Sequence, residues 1–313
     1  MAEPLFERLA LIGVGLIGSS VARACRRAGL AGTIVGTSRT EANRALALEL
    51  GVVDEVYADP AEAVAGADCV ILCLHLGAYE DTAKAIAPVL RDGAIVSDVG
   101  SVKSIMADAV APHLPAHVHM VPGHPVSGTE KSGPAAGFAE LFDDRWCILT
   151  PLPDADQDAV ARMRRFWEGL GSRVEVMPIE RHDLVLAITS HLPHLIAYNI
   201  VGTAADLETV TKGEVIKYSA GGFRDFTRIA ASDPEFWRDV FLINRDAVLE
   251  TLGRFTEDLI ALQRAIRWGE GDKLLEMFTR TRGIRRDIIE AGQDSAEADF
   301  GRRHDGPEAL ETD

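Results

Sequence analysis

Gly13-Val14-Gly15-Leu16-Ile17-Gly18 decides how this 313-residue chain is read. Before it, Arg8 to Ile12 is a short apolar run that predicts a buried strand; after it, Ser19 to Ala28 predicts a helix. A second apolar run from Thr33 to Gly36 completes a strand, glycine turn, helix and strand within about thirty residues, the span of a dinucleotide-binding crossover. Each glycine has a task in such a unit. Gly13 permits the tight turn, Gly15 lets the backbone approach a pyrophosphate, and Gly18 lets helix and strand pack closely. The helix start at Leu16 and Ile17 offers unpaired N–H groups and a partial positive charge to the phosphates.

The preference between cofactors is written at the end of the second strand. A site for NAD places an acid there, on the ribose 2′-hydroxyl. Here the chain runs Ile34-Val35-Gly36-Thr37-Ser38-Arg39, with Ser38 where the acid would stand and Arg39 after it. A hydroxyl beside a guanidinium suits a 2′-phosphate, so the pattern favours NADP and leaves NAD open. The alternative is a turn serine beside a solvated arginine.

Farther out, strand and helix patterns go on alternating. Strands are expected at Asp68 to Leu74, Ala94 to Val99, Val118 to Val121, Trp146 to Leu149 and Arg173 to Val176. Helices are expected at Thr82 to Leu90, Val102 to His113 and Asp156 to Leu170. The alternation gives an α/β fold, a doubly wound Rossmann-type parallel sheet over 1–178. From Ile179 strand signals stop, and an all-helical domain is expected over 179–290. Ser232-Asp233-Pro234-Glu235 supplies a cap, a first-turn proline and a capping-box acid. Leu252, Phe255, Leu259, Leu262 and Ile266 form one apolar helix stripe, buried either within the chain or in a second copy, which makes a homodimer the expected assembly. Residues 291–313 are acidic and poor in apolar anchors, and read as a disordered tail.

Composition narrows the partners. Against 32 Lys and Arg stand 48 Asp and Glu, a net charge of −16 that disfavours nucleic acid and anionic membrane and leaves a small-molecule substrate. No stretch approaches the roughly 20 apolar residues that cross a bilayer, and the N-terminus lacks an export pattern. Cys25, Cys69, Cys73 and Cys147 form no C-x-x-C pair and read as reduced thiols of a cytoplasmic protein.

Ligands of an open parallel sheet bind beyond the carboxyl ends of its strands, and two expected loops there carry reactive groups. In Asp98-Val99-Gly100-Ser101-Val102-Lys103-Ser104, Ser101 either caps the next helix or points its hydroxyl at the reactive end of the cofactor. In Pro122-Gly123-His124-Pro125-Val126-Ser127-Gly128-Thr129-Glu130, His124 is framed by glycine and proline in a loop, as a catalytic or a core histidine. The helical half adds His191 and His194, three apart and so on one helix face. No third ligand has a metal spacing, so substrate contact is the expectation and no metal is. Arg224 and Arg228, after the Gly221-Gly222 turn, and Trp237-Arg238 offer a carboxylate clamp or ordinary surface ion pairs.

Taken together, GVGLIGSS at 13–20, DVGSVK at 98–103, GHPVSGTEKSGP at 123–134, SHLPH at 190–194 and GGFRDFTRIAASDPEFW at 221–237 resemble the prephenate/arogenate (cyclohexadienyl) dehydrogenases of tyrosine biosynthesis. The resemblance covers roughly residues 8–290. It implies oxidation at the ring carbon bearing the 4-hydroxyl, with loss of the ring carboxylate as CO2. It implies that His124 is the catalytic base, that Ser101 hydrogen-bonds histidine and hydroxyl, and that Arg228 holds a substrate carboxylate. It also implies that His191, His194, Gly221 and Trp237 line the substrate pocket. Many such enzymes carry an acid at the Ser38 position. The chain is expected to hold neither a fused mutase nor a regulatory domain, so any tyrosine feedback would act at the active site. The competing readings are a β-hydroxyacid dehydrogenase, which would use Lys212 or Lys217 although neither has that class's glycine-asparagine setting, and a non-catalytic dinucleotide sensor.

Overall fold

The period-two pattern of β1 (Phe6–Ile12) sets the architecture. Leu9 and Leu11 face one side of the sheet, Ala10 and Ile12 the other, and all four are fully buried. A strand buried on both faces needs helices on both. The computed structural model, which describes residues 3–128, 131–207 and 220–290, has that arrangement. β1 lies between β2 (Ala31–Thr37) and β4 (Cys69–Leu72), with β3 (Glu55–Tyr57), β5 (Ile95–Asp98) and β6 (His119–Met120) outward of them. The six strands are parallel, in the order β3-β2-β1-β4-β5-β6.

Along the chain, α1 (Leu16–Ala28), α2 (Glu41–Glu49), α3 (Pro60–Val64), α4 (Tyr79–Ile86) and α5 (Gln157–Gly169) connect the strands. One face packs Phe166 and Trp167 of α5 with Leu9, Leu11 and Ile71. The other packs Tyr79 of α4 and Met106 and Val110 of the helical segment 104–113 with Ala10, Ile12 and Val70. Since β2 and β4 flank β1 on opposite sides, a crevice opens where the chain leaves β1 and β4. There Gly13 adopts φ +108°, and a Cβ on it would stand 2.4 Å from the Cys73 carbonyl oxygen.

The structure corrects the expected strand set. Trp146–Leu149 (β8) and Arg173–Val176 (β9) do not extend the six-stranded sheet. They form a second one with β7 (Gly123–Pro125), antiparallel between β7 and β8 and parallel between β8 and β9. Pro122 accounts for the break, since it has no N–H to continue a ladder past β6. The expected loop around His124 is therefore a strand, and β7 lies at the sheet edge, where Pro125 is tolerated.

Beyond β9 there is no strand among the described residues. The chain continues through α6 (Ile179–Leu186), a π turn (Ala187–His191), α7 (Leu192–Leu207), α8 (Gly221–Thr227), α9 (Pro234–Ile243), α10 (Arg245–Trp268) and α11 (Gly271–Glu290). The π turn has a local cause: Pro193 lacks the N–H and crowds the carbonyl four residues back. Contrary to the sequence expectation, the run Ile179–Asp206 is long and apolar enough, with a mean hydropathy of 1.5, to cross a bilayer by length and composition. The same run carries the buried His182, Asp183 and His191. Asp233 caps α9 by accepting from the Glu235 and Phe236 N–H groups at 2.8 and 3.0 Å. Trp237 and Val240 of α9 enter the core on the second face of the sheet. The division into compact units falls between Thr251 and Leu252, inside α10. Along α10, Leu259 and Ile266 of the apolar stripe are exposed at 47% and 66%, while Leu252, Phe255 and Leu262 are half-buried. The acidic tail over 291–313, and Lys212 and Lys217, lie outside the described residues.

Candidate active site

The candidate dinucleotide cradle is built from backbone. The Gly13 N–H donates to Thr37 Oγ1 at 3.0 Å and the Val14 N–H to the Thr37 carbonyl at 3.0 Å, tying the glycine turn to the end of β2. A Cβ on Gly18 would lie 2.1 Å from the Gly13 carbonyl oxygen, so only glycine lets α1 approach this closely. Gly15, at the start of α1, has no side-chain cap and nothing within 4 Å of where a Cβ would stand. Open space in front of uncapped N–H groups at Leu16 and Ile17 fits a pyrophosphate. After β2, the Arg44 guanidinium donates to the Ser38 and Arg39 carbonyls at 2.7 and 3.1 Å. One cation, Arg39, thus belongs to the loop that would meet the adenosine ribose, and a second, Arg44 of α2, reaches back to it.

One buried ion pair ties β5 to β7. Asp98 and Lys103, both without solvent exposure, are joined, and Lys103 Nζ also donates to the Gly123 carbonyl at 2.6 Å. Asp98 accepts from the Gly123 N–H at 3.1 Å, the Gly100 N–H at 2.9 Å and the Tyr79 hydroxyl at 3.1 Å. Both backbone groups of Gly123 are therefore held, immediately before His124. Burial lowers the Lys103 ammonium below its ordinary value and outweighs the opposing pull of Asp98.

His124 is 8% exposed, and its Nδ1 lies 2.8 Å from Nε2 of His182. Nδ1 of His182 lies 2.7 Å from Oδ1 of Asp183. Asp183 also accepts from the Lys103 and Ser104 N–H groups, at 2.7 and 2.9 Å. Burial raises this carboxyl, but the bonds from His182 and the two N–H groups prevail and hold it below the ordinary carboxylate value. Burial, reinforced by His182, Lys103 and His191, pushes the His124 imidazole well below its ordinary value, so it is neutral at pH 7. Ser101 does not cap the segment that follows it. Asp183 takes the Ser104 N–H, and Ser101 Oγ is buried without a partner.

His191 ends the π turn. Its Nδ1 accepts from Asn244 Nδ2 at 3.0 Å, which leaves the proton on the buried Nε2, towards the Ser101 backbone. Burial drives its value down to about 4. Asn244 also donates to the Asp183 carbonyl at 2.8 Å. His194 stacks on Trp237 at 3.6 Å between ring centroids, and His191 meets the same indole edge-on at 6.1 Å. Arg228, at the end of α8, lowers the His194 value through its charge, after burial. The Ser101 backbone meets the His191 ring while Ser101 Oγ stays buried without a partner, which fits a small polar ligand.

Two patterns characteristic of one family match this chain: "Prephenate dehydrogenase, nucleotide-binding domain" over residues 21–176 and "Prephenate dehydrogenase, dimerization domain" over 178–280. The chain is 44% identical to the cyclohexadienyl dehydrogenase of Zymomonas mobilis over 283 residues, 90% of this chain and 96% of that one. The chain belongs to the prephenate dehydrogenase family. A crystal structure of prephenate dehydrogenase from A. aeolicus, in complex with hydroxyphenyl propionate and NAD+, superposes with a TM-score of 0.85 at 33% identity, covering 92% of this chain and 99% of that one. The 3-hydroxyisobutyrate dehydrogenase of Salmonella typhimurium, at 15% identity and a TM-score of 0.56, covers 82% of this chain and 95% of its own; that likeness shows the fold alone.

As a member of this family, the chain is a nicotinamide-dinucleotide oxidoreductase, and its residues sort by what the fold brings together. His124, Ser101 and His191 gather beyond the sheet's carboxyl ends, with Trp237 and His194 beside His191 and Arg228 near His194. Gly221 begins α8, exposed, at the opposite end of that helix from Arg228. A Cβ placed on Gly221 would meet nothing within 4 Å. His182, Asp183 and Asn244 are absent from the sequence reading, as is the role of Lys103. An adjacent His-Asp pair is the one local signal; the neighbours that give it meaning are distant in sequence.

Proposed function

We propose that this protein carries out the oxidative decarboxylation of prephenate, arogenate or both, to 4-hydroxyphenylpyruvate and tyrosine respectively. The observation that carries the reading is a neutral, buried imidazole, His124, whose neighbour His191 also meets the backbone of Ser101, a residue with a buried, unpartnered hydroxyl. The bound nicotinamide supplies the hydride acceptor. His124 takes the proton of the 4-hydroxyl as the hydride leaves the same carbon. The ring carboxylate then departs as CO2, its C–C bond electrons enter the ring and make it aromatic, and the ring oxygen takes back the proton held on His124. Ser101 orients histidine and hydroxyl. Arg228 pairs with a substrate carboxylate, and His191, His194, Trp237 and Gly221 line the pocket, Gly221 on the family pattern alone.

The cradle is assigned to Gly13, Gly15, Leu16, Ile17 and Gly18, with Ser38 and Arg39 at the ribose. Because no acid ends β2, and Arg39 follows it in a loop that the Arg44 guanidinium of α2 also reaches, NADP is proposed as the preferred cofactor, ahead of NAD. Residues 1–178 are assigned to dinucleotide binding, 179–290 to substrate binding and dimerisation, and 291–313 to an acidic tail. The homodimer is proposed through the helical part. Its support is the dimerization pattern over 178–280 and the exposed Ile260, Ile266, Trp268 and Leu275. Four free cysteines, three of them buried, suit a reducing compartment, and a cytoplasmic location is proposed.

The test is an assay of the purified chain with prephenate and with arogenate, each with NAD+ and with NADP+. Reduced nicotinamide and CO2 in equal amounts are expected; no turnover of either acid overturns the reading. A higher kcat/KM with NAD+ overturns the cofactor assignment alone.

A further inference from the structure

The contacts around His124 fix more than its burial. At one end of the chain Asp183–His182–His124 stands a carboxylate, which accepts and cannot donate. At 2.7 Å from it, His182 Nδ1 must carry a proton, since two lone pairs would otherwise face each other. A neutral His182 then has a bare Nε2, and the group 2.8 Å away, Nδ1 of His124, must be the donor. The carboxylate itself is oriented by the Lys103 and Ser104 N–H groups at 2.7 and 2.9 Å. The chain of donors thus runs in one direction only, from His124 to Asp183.

We propose that His182 and Asp183 are positioning residues that lock His124 in its Nδ1–H tautomer, so that the Nε2 lone pair is the one presented to the substrate hydroxyl. This rests on the reading of His124 as the base. In the step, the alcohol O–H bond breaks, its proton bonds to His124 Nε2, and the imidazole becomes an imidazolium. The positive charge faces His182 Nε2 through a shorter, charge-assisted bond, and His182 in turn leans on the Asp183 carboxylate. No proton has to leave His124 for the hydride transfer to finish. The opposite arrangement, with His182 doubly protonated, is disfavoured because burial and the nearby Lys103 both lower the His182 value, against the pull of Asp183. The ionisable groups facing the two rings are Asp183, Lys103, Asp98 and His191.

Two variants separate positioning from simple packing. His182→Gln keeps an acceptor oxygen for the His124 N–H; His182→Leu has similar bulk and no acceptor. Expected in His182→Leu is a fall in kcat of about tenfold or more with KM changed less than about twofold, the signature of a misdirected base. His182→Gln should recover most of that kcat. Equal losses in both variants, or none in either, overturn the proposal. A second measurement does not depend on turnover: ring-¹⁵N spectra of the ligand-free protein, with the His124 signals assigned through His124→Asn. A protonated Nδ1 and bare Nε2 on His124, lost in His182→Leu, support the lock. A protonated Nε2 in the wild type overturns it, whether or not prephenate proves to be the substrate.

Discussion

His124 lies beside one basic side chain and two other imidazoles, and this neighbourhood decides its chemistry more than its place in the sequence does. Because burial and those neighbours hold it well below the ordinary histidine value, it is already the free base at neutral pH. The acid limb of the kcat/KM profile is therefore expected below pH 6.5, the unperturbed histidine value. A pH-rate series with the preferred substrate checks this, and a limb at or above that value removes His124 as the titrating base. His124→Asn should lower kcat by about 10²–10⁴-fold while the far-ultraviolet circular dichroism is unchanged. Arg228→Ala should act on binding: losing one charge-assisted contact, worth about 1.5–3 kcal/mol, raises KM roughly 10- to 100-fold with a smaller change in kcat. Steady-state kinetics on both variants tells the two roles apart.

At the scale of elements, the glycine turn and the β5–β7 tie behave differently under substitution. Gly15→Ala places a methyl in open space, so the folded chain tolerates it; the methyl enters the room assigned to the pyrophosphate. Its KM for the nicotinamide should rise with Tm unchanged. Gly18→Ala instead drives a methyl to 2.1 Å from a backbone oxygen, and its Tm should fall. The tie between strands is the fully buried Lys103–Asp98 pair. Lys103→Met leaves the Asp98 carboxylate buried without its cation, and breaking such a pair costs about 3–5 kcal/mol. Urea denaturation measures that loss; a variant as stable as the wild type would show that the pair is not a structural tie. Strand and helix types were readable wherever a run was long and periodic, as in β1 and α5. β3 has three residues and no pattern of its own, and α2 and α3 were missed with it. The strands β8 and β9 were placed correctly along the chain but assigned to the wrong sheet. Pairing is a property of partners distant in sequence, and Pro122 acts only through the ladder it interrupts.

For the whole molecule, the site adds an acid-sensitive term to stability. His124, His182, His191 and His194 all have values lowered by burial. Each takes up a proton on unfolding below about pH 6.5 and resists it when folded, so the unfolded state binds more protons in that window. Stability should be full above pH 6.5 and decline as pH falls, for His191 through to about 4. Thermal melts across pH 4–7 check the sign; a flat or rising Tm on acidification contradicts it. A second expectation at this scale is a dimer by light scattering, converted towards monomer by Ile266→Glu, where a charge would enter the proposed interface.

The amino-acid sequence by itself determined the doubly wound sheet, the glycine turn between β1 and α1, the all-helical second half and the family, because glycine turns and apolar periodicity act within a few residues. It also named His124, Ser101, Arg228 and the SHLPH histidines as a set. Only the tertiary structure decided how His124 is held: by Asp98 and Lys103 behind Gly123, and by His182 and Asp183 across 58 residues of chain. Hydrogen-bond direction and burial are properties of neighbours in space, and a linear reading carries no record of them until the chain has folded.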